Sequence, residues 1–284
     1  MDRIAALREI VENPYPYLRK LKEKDGRKII GYVCSYAPEE MIFAADAQPV
    51  RLFGSDEGIH RADQHLQSYC CSLARGILEE ALAGRLDLLD GMVFPHTCDT
   101  LQRLSDIWRI NLPGLFHADV VWPVKLASER SRSYLVDVLK KFRKDLEGAL
   151  SRKISDEALR RSIGTYNAIR RTLQRLYDLR RGHLHLLRGK DYSTIVLASM
   201  LMDREAFLES LQKIIADMEK IKPQNNSSGA KRLVLAGGVC AHPDLYDVIE
   251  EAGGVVIADD LCTGARYFEG LLDEKKDPVA AIAD

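Results

Sequence analysis

The sequence lacks the features that mark several large classes of protein. Its formal net charge is only −1, so no surplus of positive charge favours nucleic acid or an anionic membrane surface as a partner. Charged residues and glycines interrupt the apolar runs, and none approaches the roughly 20 residues of a membrane-spanning helix. The first residues are charged and amphipathic, without the apolar core of a signal peptide. These absences predict a globular cytoplasmic protein, with neither nucleic acid nor membrane among its partners.

Two common motifs are missing as well. The 6 cysteines include no C-x-x-C pair, and the glycines at Gly237 and Gly238 do not belong to a G-x-G-x-x-G sequence, which leaves a tight strand-to-helix turn as the simpler interpretation. In a reducing cytoplasm disulfides are rare, and clustered cysteines more often bind a metal or carry out redox chemistry. A single free cysteine, however, often serves only as a small core residue. The positions of the cysteines therefore have to decide between these roles.

Short apolar strands alternate with amphipathic helices, which predicts an α/β fold with a parallel sheet. A helix is expected over residues 62–83, with Cys70 and Cys71 near its start, and a run of helices from Lys125 to about Ile221. The predicted strands cover residues 28–33, 49–53, 91–95, 114–118, 231–236 and 254–258.

Changes in composition divide the 284 residues into three parts. Residues 1–124 are predicted to form an N-terminal α/β domain that binds the cofactor, and residues 125–225 a helical region with a polar linker at its end. Residues 226–284 are predicted to form a partial C-terminal α/β domain. Two domains are also what a chain of this length allows.

Four cysteines share one kind of position. Cys34, Cys98, Cys240 and Cys262 each follow the carboxyl end of a predicted strand, on both sides of the linker. In open α/β sheets, ligands bind in the crevice at these strand ends, so the pattern predicts one site between two domains. Thiols without compact zinc spacing suit an iron–sulfur cluster better than structural zinc. His96 and His242 keep zinc open as an alternative.

Several motifs together resemble a known family. In this order and spacing they are similar to the 2-hydroxyacyl-CoA dehydratase and benzoyl-CoA reductase family, over nearly the whole chain. The resemblance implies two Rossmann-like or flavodoxin-like parallel-sheet domains with a helical segment between them. The motifs are Gly31–Glu40, Tyr69–Arg75, Thr97–Thr100, Tyr166 and Asn167 with Arg170, and Asp259–Phe268.

The resemblance also implies a cofactor and its ligands. Mapped onto this sequence, Cys71, Cys98 and Cys262 would hold a 4Fe-4S cluster in an iron–sulfur subunit, while Cys70 and Cys240 fall outside the ligand pattern. Cys34 and Ser35 would lie in a loop facing the cluster, and Ser35 and Glu39 would line the substrate side. Glu39 alternatively serves only the electrostatics of a helix start. Asp99 and Asp260 are expected either to surround the ligands or to cap helices.

The activity implied by the resemblance is radical chemistry on an acyl-CoA. An ATP-dependent activator protein with its own iron–sulfur cluster would supply one low-potential electron, which would reach the CoA thioester and drive either loss of a hydroxyl group or reduction of an aromatic ring. The implied partner is a homologous second subunit or a second copy of this chain. Two alternatives stay open: a double-cubane reductase of small molecules, and a non-catalytic subunit.

The second α/β domain is expected to be truncated relative to the family. Residues 231–284 supply two clear strands, too few for an independent domain. Either the chain is a fragment, or a partner covers the exposed edge of the sheet.

Overall fold

The computed structural model describes residues 2–54, 58–222 and 229–284. Helices and strands alternate along both ends of the chain, with long helices between them. The strands are β1 (Ile29–Val33), β2 (Gln48–Leu52), β3 (Gly91–Pro95), β4 (Phe116–Val120), β5 (Lys231–Ala236) and β6 (Gly254–Asp260). The helices are α1 (Asp2–Glu12), α2 (Pro14–Asp25), α3 (Glu39–Ala44), α4 (Ser72–Leu82), α5 (Asp99–Asn111), α6 (Glu129–Leu150), α7 (Asp156–Arg180), α8 (Gly189–Ser199), α9 (Arg204–Glu219), α10 (Asp244–Glu251), α11 (Ala265–Phe268) and α12 (Pro278–Ala283). Across these described ranges, no helix combines the length and the apolar character that crossing a membrane requires.

The chain forms two compact units. One, the helical unit, consists of Met1–Tyr17 with Gly164–Leu271. The other, the sheet unit, consists of Leu18–Ile163 with Leu272–Asp284. The division expected from composition, at residues 124 and 225, stays a prediction. Most of the expected linker, residues 223–228, lies outside the described residues.

The sheet unit contains four parallel strands in the order β2-β1-β3-β4. Gly31 of β1 pairs with Val50 on one side and with Met92 on the other, and Met92 pairs in turn with His117. Every residue of β1 and β3 is buried, as expected for central strands of a parallel sheet with both faces covered. The α/β fold class with a parallel sheet is therefore confirmed.

One core joins this sheet to the helices of the same unit. Ile30 and Tyr32 of β1 and Val93 of β3 pack with apolar side chains of α3 and α6. Their burial removes large apolar surfaces from water, which is the main stabilising contribution in such a layered fold. The helical side chains of this core include Met41, Ile42, Leu135, Leu139, Phe142 and Leu146.

The helical unit is organised around α8, which is buried from Gly189 to Ser199 apart from its second and third residues. The motif residue Tyr166 lies in its core, where its hydroxyl accepts a hydrogen bond from Arg204 Nε at 2.9 Å. Strands β5 and β6 form a parallel pair with a register shift between Leu233 and Val234. These two neighbouring residues remain 41% and 66% exposed, so side chains on both faces of β5 retain large accessible surface.

The prediction of a helix over residues 62–83 is wrong at its start. Residues 62–64 form a single 3-10 turn, and α4 begins only at Ser72. The cause is Glu79 of α4, whose carboxylate accepts hydrogen bonds from the backbone N–H groups of His60, Arg61 and Ala62 at 3.0, 2.6 and 2.9 Å. These bonds tie the preceding segment to the side of α4, so it cannot extend the helix.

Candidate thiol site

Two cysteines of the sheet unit occupy the N-cap positions of helices. Cys71 immediately precedes α4, and Cys98 lies between the end of β3 and the first residue of α5. Both residues are exposed. The N-terminus of a helix carries a partial positive charge, which favours a thiolate or another anionic group there.

A third cysteine follows the neighbouring strand. Cys34 comes directly after β1, which pairs with β3, so the carboxyl ends of these two strands lie side by side. Cys34 is partly buried and has a left-handed backbone with φ of 57°. The sheet unit thus brings Cys34 and Cys98 to one edge of its sheet, as the sequence predicts.

The thiols of this unit influence one another. Desolvation raises the pKa of the Cys71 thiol; the backbone N–H of Ala74 acts in the opposite direction, and the nearby thiols of Cys98, Cys34 and Cys70 raise the pKa further. A cluster of thiols resists ionisation because each new negative charge repels the others. Binding to a cationic centre would remove that repulsion.

The helical unit contains the other two cysteines, on adjoining loops. Cys262 follows β6, and its backbone N–H donates to the carbonyl of Gly238 in the loop after β5. The hydroxyl of Thr263 accepts a hydrogen bond from the N–H of Cys240 and donates to the carbonyl of the same residue. These bonds fix the loops that carry Cys240 and Cys262 against each other.

Charged side chains surround Cys262. Arg266 Nη1 lies 3.4 Å from the Cys262 sulfur, and the same guanidinium pairs with the carboxylate of Asp260. The hydrogen bond from Arg266 lowers the pKa of Asp260. The carboxylate that caps α11 belongs instead to Asp259, whose Oδ1 accepts from the N–H of Ala265 at 2.7 Å. Asp260 is therefore next to a cysteine rather than at a helix cap.

The arrangement of donors can be tested against the expected cofactor. Within the described ranges, no three His, Cys, Asp or Glu side chains converge on a point where they would hold one metal ion. The thiolates of a cubane bind different irons, so unlike the ligands of a single zinc ion they need not converge. Within the sheet unit, thiols at the N-termini of α4 and α5 suit a cofactor of negative charge. The donor chemistry fits an iron–sulfur cluster.

The two residues expected on the substrate side lie in the sheet unit near Cys34. Ser35 Oγ accepts a hydrogen bond from Arg51 Nη2 at 3.4 Å, and Arg51 itself is almost fully buried. Glu39 is the first residue of α3 and is also buried. Its position in the first turn agrees with stabilisation of a carboxylate by the helix dipole.

Sequence reasoning missed a polar network beside Cys98. Asp119 Oδ1 lies 2.8 Å from His96 Nε2 and accepts a hydrogen bond from the Ser105 hydroxyl, which lies 2.9 Å from His117 Nε2. Burial opposes ionisation of Asp119, but hydrogen bonds from His117, Ser105 and His96 hold its pKa well below the usual range. The sequence does contain a signal for this network: residues 117 and 119 are two positions apart in β4, so their side chains lie on the same face of the strand.

These features define a class of protein: an α/β protein with cysteines at the N-termini of helices that follow its strands. A family model described as 2-hydroxyglutaryl-CoA dehydratase, D-component, matches residues 34–284. The chain therefore belongs to this family. The matched region includes all 6 cysteines.

Individual relatives agree with this assignment. The chain is similar to a benzoyl-CoA reductase subunit of Thauera aromatica, with 30% identity over 99% of this chain and 74% of the relative. It is 26% identical to the (R)-phenyllactyl-CoA dehydratase beta subunit of Clostridium sporogenes, over 98% of this chain and 74% of the relative. It is 25% identical to the (R)-2-hydroxyglutaryl-CoA dehydratase beta subunit of Acidaminococcus fermentans, over 93% of this chain and 70% of the relative.

Proposed function

We propose that this chain is the iron–sulfur subunit of a CoA-thioester enzyme, either a 2-hydroxyacyl-CoA dehydratase or a reductase of the benzoyl-CoA type. Cys71, Cys98 and Cys262 are the proposed ligands of a 4Fe-4S cluster, which when bound delivers a low-potential electron to the thioester of an acyl-CoA. The observation that carries the proposal is the placement of Cys71 and Cys98 at the N-termini of α4 and α5, inside the region that matches the family.

The chain's own residues would adjust the charge around the cluster. The partial positive charges at the starts of α4 and α5 would offset part of the negative charge of a cluster bound beside Cys71 and Cys98. Arg266 donates to the sulfur of Cys262, and hydrogen bonds to cluster sulfurs are one of the factors that set reduction potentials. Asp260 holds the Arg266 guanidinium in place for this contact.

Ser35 and Glu39 are the residues proposed to face the substrate. Ser35 accepts from Arg51, so its own hydroxyl proton can be donated to a substrate oxygen. The buried Arg51 fixes the direction of that hydroxyl. Glu39 would contribute its carboxyl group at the start of α3.

The proposal also includes partners. Two of the relatives are named as beta subunits of dehydratases and one as a subunit of a reductase, so each is one chain of a larger enzyme. We propose a homologous second subunit or a second copy of this chain, an ATP-dependent activator protein, and an acyl-CoA substrate.

Metal analysis of anaerobically purified protein tests the proposal. Iron and acid-labile sulfide are measured per chain in the wild type, in Cys98→Ala and in Cys70→Ala. We expect about four irons in the wild type and in Cys70→Ala, and loss of most of them in Cys98→Ala. Cys70 is a suitable control because it adjoins a proposed ligand but is buried and is not a proposed ligand itself.

Other results would point elsewhere. A content near eight irons would favour a double cubane and a reductase of small molecules. Absence of iron and sulfide from anoxic wild-type protein would refute the cluster and leave a non-catalytic subunit. Equal losses in both variants would refute the assignment of Cys98 as a ligand.

A further inference from the structure

The loop after β1 has an unusual backbone. Cys34 and Tyr36 both have left-handed conformations, with φ of 57° and 68°. Residues other than glycine rarely adopt this conformation because the Cβ atom then crowds the backbone. Two such residues on either side of Ser35 therefore need contacts that hold them in place, and strain of this kind is typical of functional loops.

One of these contacts comes from Trp122, in the segment after β4. Its indole Nε1–H donates to the backbone carbonyl of Tyr36 at 3.1 Å. The two rings also meet, with centroids 5.7 Å apart and an angle of 60° between the planes. Trp122 is partly buried against the core of the sheet unit, so its ring is itself anchored. The second contact is that of Arg51 with the Ser35 hydroxyl.

We propose that Trp122 is a positioning residue, which holds Cys34 and Tyr36 in their left-handed conformation and thereby sets the directions of the Cys34 thiol and the Ser35 hydroxyl between them. This inference deepens the proposed function, on which the role of Ser35 at the substrate rests. The hydrogen bond matters more than apolar packing here, because Tyr36 is 65% exposed and its ring contact removes little surface from water.

The other tryptophan offers a contrast within the same unit. Trp108 of α5 is fully buried and packs edge-on against Phe94, with ring centroids 5.6 Å apart. Among the described atoms, its Nε1 has no hydrogen-bond acceptor. Replacing Trp108 with Phe therefore changes packing alone, whereas the same replacement at Trp122 also removes a bond to the loop.

The test compares Trp122→Phe and Trp108→Phe in the full chain, purified anaerobically. Cys34 and Cys240 are alkylated with iodoacetamide, and their rates are read by mass spectrometry after digestion. Cys240 is the internal reference, since it lies in the other unit and, like Cys34, is not a proposed ligand. We expect the Cys34 to Cys240 rate ratio to rise about fivefold in Trp122→Phe, as loss of one hydrogen bond to the loop permits, and to stay unchanged in Trp108→Phe.

A second variant allows the inference to be tested even if Trp122→Phe does not fold. Tyr36→Ser leaves the core untouched, and serine, like tyrosine, is not one of the residues that favour the left-handed backbone. It removes the ring contact but keeps the carbonyl acceptor, so we expect a rise of only about twofold. An unchanged ratio in the Trp122 variant, or an equal rise in Trp108→Phe, would overturn the inference. So would an unchanged ratio in Tyr36→Ser if only that variant folds.

A spectroscopic measurement separates this inference from the proposed function. If the protein contains its cluster, the electron paramagnetic resonance signal of the reduced cluster should change in Trp122→Phe and not in Trp108→Phe. An unchanged signal alongside unchanged alkylation refutes the positioning role while the cluster stands. Wild-type protein without iron refutes the proposed function, but a raised alkylation ratio would still support the role of Trp122 in holding the loop.

Discussion

Gly264 lies at the start of α11, two residues after Cys262, where the structure has no room for a side chain. A Cβ atom at this position would overlap Asp259 Oδ1 and would lie 2.7 Å from Asp259 Cγ. The Asp259 carboxylate is buried and accepts the N–H of Ala265. In Gly264→Ala either that carboxylate or the loop must move, and either movement disturbs this hydrogen bond. A bond to a buried charge contributes about 1.5–3 kcal/mol, so we expect Gly264→Ala to lower the free energy of unfolding by about 2–3 kcal/mol.

Urea unfolding of Gly264→Ala, followed by circular dichroism, measures this loss. The matched control is Gly238→Ala in the neighbouring loop, where an added Cβ meets nothing within 4 Å. The control should remain within about 1 kcal/mol of the wild type, because an exposed substitution without contacts has little effect. Under the proposed function, iron content gives a second measurement, because displacement of Cys262 as a proposed ligand should lower the iron content in Gly264→Ala and not in Gly238→Ala. If both variants unfold at the same urea concentration as the wild type, the reasoning about Asp259 is refuted.

Two further predictions concern carboxylates of the sheet unit, the buried Glu79 and the more exposed Asp119. Glu79→Gln should lower the free energy of unfolding by about 1–3 kcal/mol, because the carboxylate accepts three backbone N–H groups. Burial of Glu79 opposes its ionisation, but these bonds and Arg61 lower its pKa from 4.5 to about 2. The stabilisation is therefore complete above pH 4.5 and is lost as the pH falls towards 2. Urea titrations at several pH values should show this dependence in the wild type and not in the variant. Asp119→Asn should cost about 0.5–1.5 kcal/mol through its bonds to Ser105 and His96, since Asp119 is partly exposed to water, and a thermal transition unchanged from the wild type would contradict this.

Strands and strand ends could be read from the sequence because their signals are local. Runs such as Lys28–Val33 and Gly91–Met–Val–Phe–Pro95 combine β-forming residues with a glycine or proline boundary, and the structure has strands at Ile29–Val33 and Gly91–Pro95. Helical segments between successive strands predict that the strands pair in parallel, and the strands of the sheet do so. The placement of Cys34 and Cys98 beyond β1 and β3 followed from these boundaries.

Features that depend on distant contacts could not be read in this way. The late start of α4 follows from bonds between Glu79 and residues 17 to 19 positions earlier, which no local pattern records. Cysteine is not a favoured N-cap residue, so Cys71 gave no sign that a helix begins after it. The choice of Asp259 over Asp260 as the cap of α11 depends on which carboxylate points inward from β6, and only the buried one does so.

Burial separates the cysteines into two groups. A cysteine that fills a core is expected to be buried, as Cys70 is, whereas Cys71 and Cys98 are exposed and Cys34, Cys240 and Cys262 are partly exposed. Exposed thiols do not contribute to packing, so their positions need another explanation. A loop that joins the end of a parallel strand to the start of a helix places its residues near unpaired backbone N–H groups, where an anion is stabilised. Cys98, in the loop between β3 and α5, therefore lies where backbone N–H groups favour a bound anion, while Cys70 has the surroundings of a core residue.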